Sequence, residues 1–289
     1  MEVVRITPRG YCHGVVDALR IAKRVSADAQ GPVYMLGQLV HNTHLTDELQ
    51  ETGVALIDSQ DRMAGLDQVG SGTVIFTAHG VSPEVKEKAR RLGLDAVDAT
   101  CSDVVRTHDL VKRLAAQGFE IVYIGRRGHP EPAGVMGEAP GKVHLVQDSE
   151  DVARLDLGEA RVAITCQTTL SVWDTEALMA EVKERYPEAE VHNEICLATQ
   201  ERQEAAVKAA REVDMVIVVG SPLSSNSNRL VEVVEKLAGR PARLVDEVQE
   251  IDPEWFRGVG RVGVTSGAST PSQLTRRVIE HLEQLDAPS

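Results

Sequence analysis

Short apolar runs alternate with amphipathic stretches along nearly the whole chain. The runs include Val3-Val-Arg-Ile6, Val33-Tyr-Met-Leu36, Val54-Ala-Leu-Ile57, Thr73-Val-Ile-Phe76, Glu120-Ile-Val-Tyr-Ile124, Val143-His-Leu-Val146, Arg161-Val-Ala-Ile164, Met215-Val-Ile-Val-Val219, Ala242-Arg-Leu-Val245 and Arg261-Val-Gly-Val264. Runs this short, bounded by Gly and polar residues, read as strands of parallel sheets covered on both faces. Between them lie stretches of helical spacing, such as Val15, Leu19, Ala22, Val25 and Val104, Val105, His108, Val111, Leu114, Ala115. Ser82 with Pro83 reads as an N-cap and a first-turn proline, and Thr270-Pro271-Ser-Gln273 as a cap, a first-turn proline and a capping-box glutamine.

The alternation repeats. Cys12, Cys101 and Cys196 each stand between an apolar run and a helical stretch, as in Leu94-Asp-Ala-Val97 leading to Asp98-Ala-Thr-Cys101. Gly37, Gly125 and Gly220 follow these cysteines after 25, 24 and 24 residues, each at the end of a predicted strand. A self-similar period of this kind outranks any single motif. It predicts an α/β protein of three similar units with parallel sheets: residues 1–97, 98–192 and 193–289. The first strand is free to pair with either end unit. A cysteine at a helix N-terminus meets unpaired N–H groups and the positive end of the helix dipole, which favour thiolate.

Composition narrows the classes. The chain has 289 residues, 42% hydrophobic and 26% charged, as in an ordinary globular protein. A net charge of −13 argues against non-specific nucleic-acid binding. No apolar run reaches membrane-span length. The start, Met-Glu-Val-Val-Arg, lacks a signal-peptide layout, so the expectation is cytoplasmic. In that reducing compartment, four cysteines without a CxxC pair are expected to be free, catalytic or metal-bound.

Three cysteines in register fall one ligand short of a structural tetrahedral site. They suffice for three corners of a cubane iron–sulfur cluster with one open iron; the alternative is three buried structural thiols. Cys166 is off the register and reads as a core or pocket-wall thiol. The predicted strand ends also carry His41, His79 and His129, the Ser224-Ser225-Asn226 tip and Ser269. Imidazole, hydroxyl and amide donors with helix N-termini can hold a diphosphate without lysine. Glu131, behind Gly128-His129-Pro130, is a candidate proton donor, or else a cap or a solvated carboxylate. Thr168 is a candidate partner for a substrate hydroxyl, or else a β-branched residue favoured at a strand end. The remaining histidines, His13, His44, His108, His144, His192 and His281, have no repeat partner and read as structural or surface.

These residues carry a resemblance. Arg9-Gly-Tyr-Cys12-His-Gly-Val, Val40-His41-Asn42, Ala78-His79-Gly80-Val-Ser, Asp98-Ala-Thr-Cys101, Gly128-His-Pro-Glu131, Gln167-Thr-Thr-Leu-Ser171, Ile195-Cys196-Leu-Ala-Thr, Ser224-Ser-Asn-Ser-Asn-Arg-Leu230 and Ser266-Gly-Ala-Ser269 fall in order along the chain. Together they resemble the 4-hydroxy-3-methylbut-2-enyl diphosphate reductase family of the non-mevalonate isoprenoid pathway. Two positions depart from the family pattern: Pro222-Leu223, where a polar or basic pair is usual, and His13, where another side chain is common.

The resemblance implies a three-lobed clover around one [4Fe-4S] cluster per chain, held by Cys12, Cys101 and Cys196 with one iron open. It implies reductive removal of an allylic hydroxyl by two electrons and two protons, giving isopentenyl and dimethylallyl diphosphates. Glu131, Thr168 and His129 would be catalytic. His41, His79, His129, Thr168, Ser224, Ser225, Asn226 and Ser269 would bind substrate. Electrons would come from an external donor of ferredoxin or flavodoxin type, since no GxGxxG follows a strand. Arg126-Arg127 and Arg276-Arg277 are candidate basic patches for that donor. No membrane or nucleic-acid partner is expected, and monomer is the default. Two other readings share the cysteines: a hydro-lyase or condensing enzyme like quinolinate synthase, which needs a dicarboxylate pocket, and a metal or cluster sensor, which needs neither Glu131 nor Thr168.

Overall fold

The computed structural model describes residues 1–285; the last residues of the third expected segment, 286–289, lie outside the described residues. In chain order the first elements are β1 (Glu2–Arg5), α1 (His13–Asp28), β2 (Val33–Leu36), α2 (Thr43–Glu51), β3 (Val54–Ile57), α3 (Arg62–Leu66), β4 (Thr73–Phe76), α4 (Pro83–Arg91) and β5 (Asp95–Asp98). Next come α5 (Ser102–Ala116), β6 (Glu120–Ile124), α6 (Pro130–Met136), β7 (Val143–Val146), α7 (Ser149–Arg154), β8 (Val162–Cys166), α8 (Val172–Arg185) and β9 (Glu190–Val191). The last are α9 (Leu197–Ala210), β10 (Met215–Val219), α10 (Ser225–Val233), β11 (Ala242–Val245), β12 (Arg261–Ser266) and α11 (Ser272–Gln284).

The strands form three parallel sheets of four, in the orders β3-β2-β4-β5, β7-β6-β8-β9 and β1-β12-β10-β11. All three are wound alike. The chain enters at an inner strand, steps to one edge, then returns on the far side of its starting strand. Winding therefore reverses between the two inner strands. The crevice beyond their C-terminal ends is where such sheets take ligands. The fourth place is filled by β5, by β9 and, in the third sheet, by β1, whose Glu2 to Arg5 pair with Arg261 to Val264.

Two compact units contain these sheets. One comprises Met1–His13, His41–Thr43 and the chain from Cys196 onward; the other comprises Gly14–Val40 and His44–Ile195. In the first unit every residue of β10 is buried, as a strand covered on both faces requires. Val216, Val218, Ala206 and Leu230 pack on one side of its sheet, and Ile217, Val219, Phe256 and Val278 on the other. In the second unit β4 and β8 are likewise buried throughout. Tyr123, Ile121, Val111 and Val135 fill one face of the β6–β8 sheet; Val122, Ile124, Ile164 and Met179 fill the other.

His108 of α5 is a buried structural histidine, as the sequence suggests. Its Nδ1 lies 2.7 Å from Glu138 Oε1. At Gly80, with φ +76°, a Cβ would meet His108 Nε2 at 2.9 Å, so only glycine lets the loop after β4 pass over this ring. Among the described residues, no helix is long and apolar enough to cross a membrane.

Three stretches that the sequence marks only as polar strand ends open helices instead. α2, α6 and α10 start within a few residues of Gly37, Gly125 and Gly220. They are short, and α6 and α10 begin with Pro-Glu-Pro and Ser-Asn-Ser-Asn, sequences of low helix propensity. Caps hold these two: the His129 ring accepts the Glu131 N–H at 3.2 Å, and the Ser224 hydroxyl accepts the Ser227 N–H at 3.2 Å. The Ser82 cap and Pro83 are found as expected. Thr270 is not a cap. Its hydroxyl donates to the Val219 carbonyl at 3.0 Å, and Pro271 occupies the N-cap position of α11 without a side-chain bond.

Candidate active site

In the second unit, Glu131 stands in the first turn of α6, behind His129 and Pro130. It is 2% exposed. The Thr168 N–H donates to Glu131 Oε1 at 2.7 Å, and the Thr168 hydroxyl donates to Oε2 at 3.0 Å. The Tyr123 hydroxyl approaches Oε1 at 3.5 Å. Burial pushes the Glu131 carboxyl up to about 7, while the hydrogen bonds from Thr168 and Tyr123 pull the other way. A carboxyl poised near neutrality is suited to giving up a proton. Of the alternatives open at the sequence level, solvated carboxylate is excluded by this burial.

His129 is buried at the N-cap of α6. Because Nδ1 accepts the Glu131 N–H, the neutral ring carries its proton on Nε2, leaving that edge as a donor. The His79 ring sits edge-on to it, with centroids 5.4 Å apart. His79 Nδ1 lies 3.3 Å from the Thr77 hydroxyl. Cys101 is the N-cap residue of α5, and its N–H donates to the Ala78 carbonyl at 3.0 Å, beside His79. A Cβ on Gly14 would fall 2.3 Å from Cys101 Sγ, so α1 leaves this sulfur a space that any larger residue would fill. Cys166, off the register of the other three cysteines, is buried at the end of β8. Its Sγ accepts the Glu194 N–H at 3.4 Å, and burial pushes the thiol up to about 12.

In the first unit, Cys12 directly precedes α1 and its N–H donates to the Ala268 carbonyl at 3.0 Å. Cys196 is the N-cap residue of α9. Cys196 Sγ lies 3.2 Å from the Thr199 hydroxyl, which lies 3.4 Å from Asn226 Oδ1. Ser224, Ser225 and Asn226 form the cap and first turn of α10, all buried. The Ser269 hydroxyl reaches the His41 carbonyl at 3.3 Å and the Ser224 hydroxyl at 3.5 Å. The Pro222-Leu223 departure leaves this turn intact. Leu223 is exposed, while Asn228 Nδ2 donates to the carbonyls of Pro222 and Ser224 at 2.8 Å.

Arg202 and Thr199 in the first unit, and Tyr123 and Gln167 in the second, stand beside candidate residues of their own unit without having been singled out in the sequence. Gln167 Oε1 accepts the Arg126 N–H at 2.9 Å and so shapes the approach to His129. Arg127 of the candidate basic patch is engaged by Asp151 at 2.6 Å. Arg202 stands two turns into α9, 4% exposed, and the thiols of Cys12 and Cys196 both act on its charge. No signal short of the structure marks a helix-interior arginine as buried. This donor set fits an iron–sulfur cluster. Thiolates are the usual ligands of such iron, and a buried cation beside them suits an anionic group. The four cysteines form no disulfide.

A family model described as LytB protein matches residues 3–283. The 4-hydroxy-3-methylbut-2-enyl diphosphate reductase of Symbiobacterium thermophilum is 56% identical over 287 residues, covering 98% of this chain and 97% of its own. The reductase of that name from Anoxybacillus flavithermus is 52% identical over 288 residues, covering 99% and 91%. The structure of the E-1-hydroxy-2-methyl-but-2-enyl-4-diphosphate reductase from Plasmodium falciparum superposes with a TM-score of 0.93 at 32% identity, covering 98% of this chain and 88% of that one. A second structure, of the (E)-4-hydroxy-3-methyl-but-2-enyl diphosphate reductase, gives a TM-score of 0.68 at 34% identity over 98% and 100%. Matched over almost its entire length, the chain belongs to the LytB protein family.

Proposed function

We propose that the chain is a 4-hydroxy-3-methylbut-2-enyl diphosphate reductase. It removes the allylic hydroxyl as water with two electrons and two protons, yielding isopentenyl and dimethylallyl diphosphates. The observation that carries this reading is the Glu131–Thr168 pair: a buried carboxyl near neutrality, bonded to a hydroxyl that can face a substrate hydroxyl. Relatives of that name, matched end to end, support it.

Cys12, Cys101 and Cys196 would hold a [4Fe-4S] cluster, which when bound supplies electrons and, at its open iron, a Lewis acid. Thr168 orients the substrate hydroxyl. Protonated Glu131 gives its Oε2 proton to Thr168 Oγ1, which passes its own proton to the leaving oxygen, so neutral water departs. This route follows the 3.0 Å contact and uses Thr168, rather than His129, as the relay. His129, its Nε2 fixed as a donor, turns to the diphosphate with His41, His79, Ser224, Ser225, Asn226 and Ser269. Holding that end makes the reaction at the other end effectively intramolecular. A carrier of ferredoxin or flavodoxin type delivers the electrons.

The test is an anaerobic assay with reduced methyl viologen and the hydroxylated allylic diphosphate. Substrate-dependent loss of colour, lost in Glu131→Gln with iron and sulfide retained, supports the reading. No oxidation by wild-type protein of full iron and sulfide content sinks it.

A further inference from the structure

We propose that Arg202 is a positioning residue that supplies a fixed counter-charge to the anionic centre held by Cys12 and Cys196, and so raises its reduction potential. This rests on the reductase reading above.

A guanidinium is charged at any physiological pH, and Arg202 is 96% removed from solvent, being 4% exposed. Such a charge is ordinarily paired with a carboxylate. Among the described residues Arg202 makes no ion pair. Its two hydrogen bonds run to neutral carbonyls, Nη1 to Ala198 at 2.8 Å and Nη2 to Gly10 at 2.8 Å, and its buried Nε has no hydrogen-bond partner. Burial pulls its pKa down, and the groups that oppose this are first the Cys12 and then the Cys196 thiol, with Glu201 behind them. The negative charge that would balance Arg202 therefore belongs where those two sulfurs belong.

The two carbonyl bonds set where the cation stands. Gly10 lies two residues before Cys12, and Ala198 two after Cys196. The planar fork ties the loop bearing one sulfur to the helix bearing the other. Each electron that enters an iron–sulfur centre adds one negative charge, so a nearby desolvated cation favours the reduced form over the oxidised form. The chain as a whole, at a net charge of −13, works in the opposite sense. A merely structural clip would fix the same loop but leave the potential unmoved.

The experiment compares wild type, Arg202→Gln and Arg202→Lys, reconstituted anaerobically with iron and sulfide and titrated with dithionite under spectroscopic observation. Gln retains an amide donor without charge, and Lys retains charge without the fork. The expected result is that R202Q shifts the equilibrium toward the oxidised form at least tenfold, 59 mV for a one-electron couple, and that R202K stays within threefold of wild type. Failure of R202Q to load, with apo-protein circular dichroism and Tm like wild type and with R202K loading normally, also supports the role. A fully loaded R202Q with an unmoved potential overturns it. So does an R202K shifted as far as R202Q, or an apo-R202Q that does not fold, since the residue would then be a clip. Wild-type protein that takes up no iron and sulfide sinks the reductase reading itself, which the same titration separates from failure of the Arg202 role.

Discussion

Thr168 holds Glu131 with both its backbone and its side chain, N–H to Oε1 at 2.7 Å and hydroxyl to Oε2 at 3.0 Å. The two bonds have different consequences. The N–H can only donate, and so holds the carboxyl in place. The hydroxyl can reverse direction, so in the proposed route it is the one through which a proton would move.

With Glu131 as the proposed proton donor, turnover should therefore fall as pH rises through about 7, where the carboxyl loses that proton. The stability effect has the same sign. The folded carboxyl at about 7 stands above its ordinary value of 4.5. Its contribution is fully present below pH 4.5 and is lost as pH rises through about 7, at most about 3 kcal/mol. A pH–kcat profile checks the first statement, and Glu131→Gln should abolish the alkaline limb along with most of the rate. Urea unfolding at pH 5 and pH 8 checks the second.

Thr168→Ser keeps the hydroxyl and should stay within tenfold of wild-type kcat. Thr168→Val removes the relay and should lower kcat by about 10² to 10⁴. It also removes one bond that pulls the Glu131 carboxyl down, so the residual rate should fall at higher pH than in wild type. Equal rates for the two variants would remove Thr168 from the proton path.

Cys101→Ser should lose most bound iron. Gly14→Ala is the subtler test. Its methyl would fall 2.3 Å from Cys101 Sγ, so the sulfur must move or α1 must shift. Iron content after reconstitution should drop well below wild type although no ligand has been changed. Cys166→Ala, by contrast, should leave iron content unaltered, because that thiol is buried in the β8 core and bonded to the Glu194 N–H. Iron and sulfide analysis of the three proteins decides.

Asn226→Ala and Ser224→Ala should separate binding from folding. Ser224→Ala removes the α10 cap, worth about 1 kcal/mol, and loses the Ser269 contact as well. Asn226→Ala leaves the cap in place. Both should raise KM by tenfold or more, and only the serine variant should lower Tm noticeably. Steady-state kinetics beside thermal melts test this.

The strands were readable because parallel sheets covered on both sides need unbroken apolar runs, and Met215-Val-Ile-Val-Val219 has no other use. The cysteine register was readable because each repeat puts its helix start at the same place. Helices α6 and α10 were not. Their sequences are poor helix formers, and a histidine ring and a serine hydroxyl hold them in shape. The same gap hid the nature of Glu131, whose proton affinity comes from burial by residues far along the chain. Arg202 was invisible for a related reason. Next to Glu201 and Glu204 it looks like one more charge on a solvated helix face, and only packing puts it inside.

The pairing of Glu2–Arg5 with Arg261–Val264 joins strands 259 positions apart in the chain. Until β12 has been synthesised, β1 has no edge to join, and the Cys12 loop that follows it has no frame. The second unit's two sheets have no such wait, since all of their strands lie between Val33 and Val191. Assembly of the first unit is therefore a late, long-range closure, slow by its sequence separation. A chain that stops short of Arg261 has every strand of two sheets but lacks the strand against which β1 and the Cys12 loop are placed.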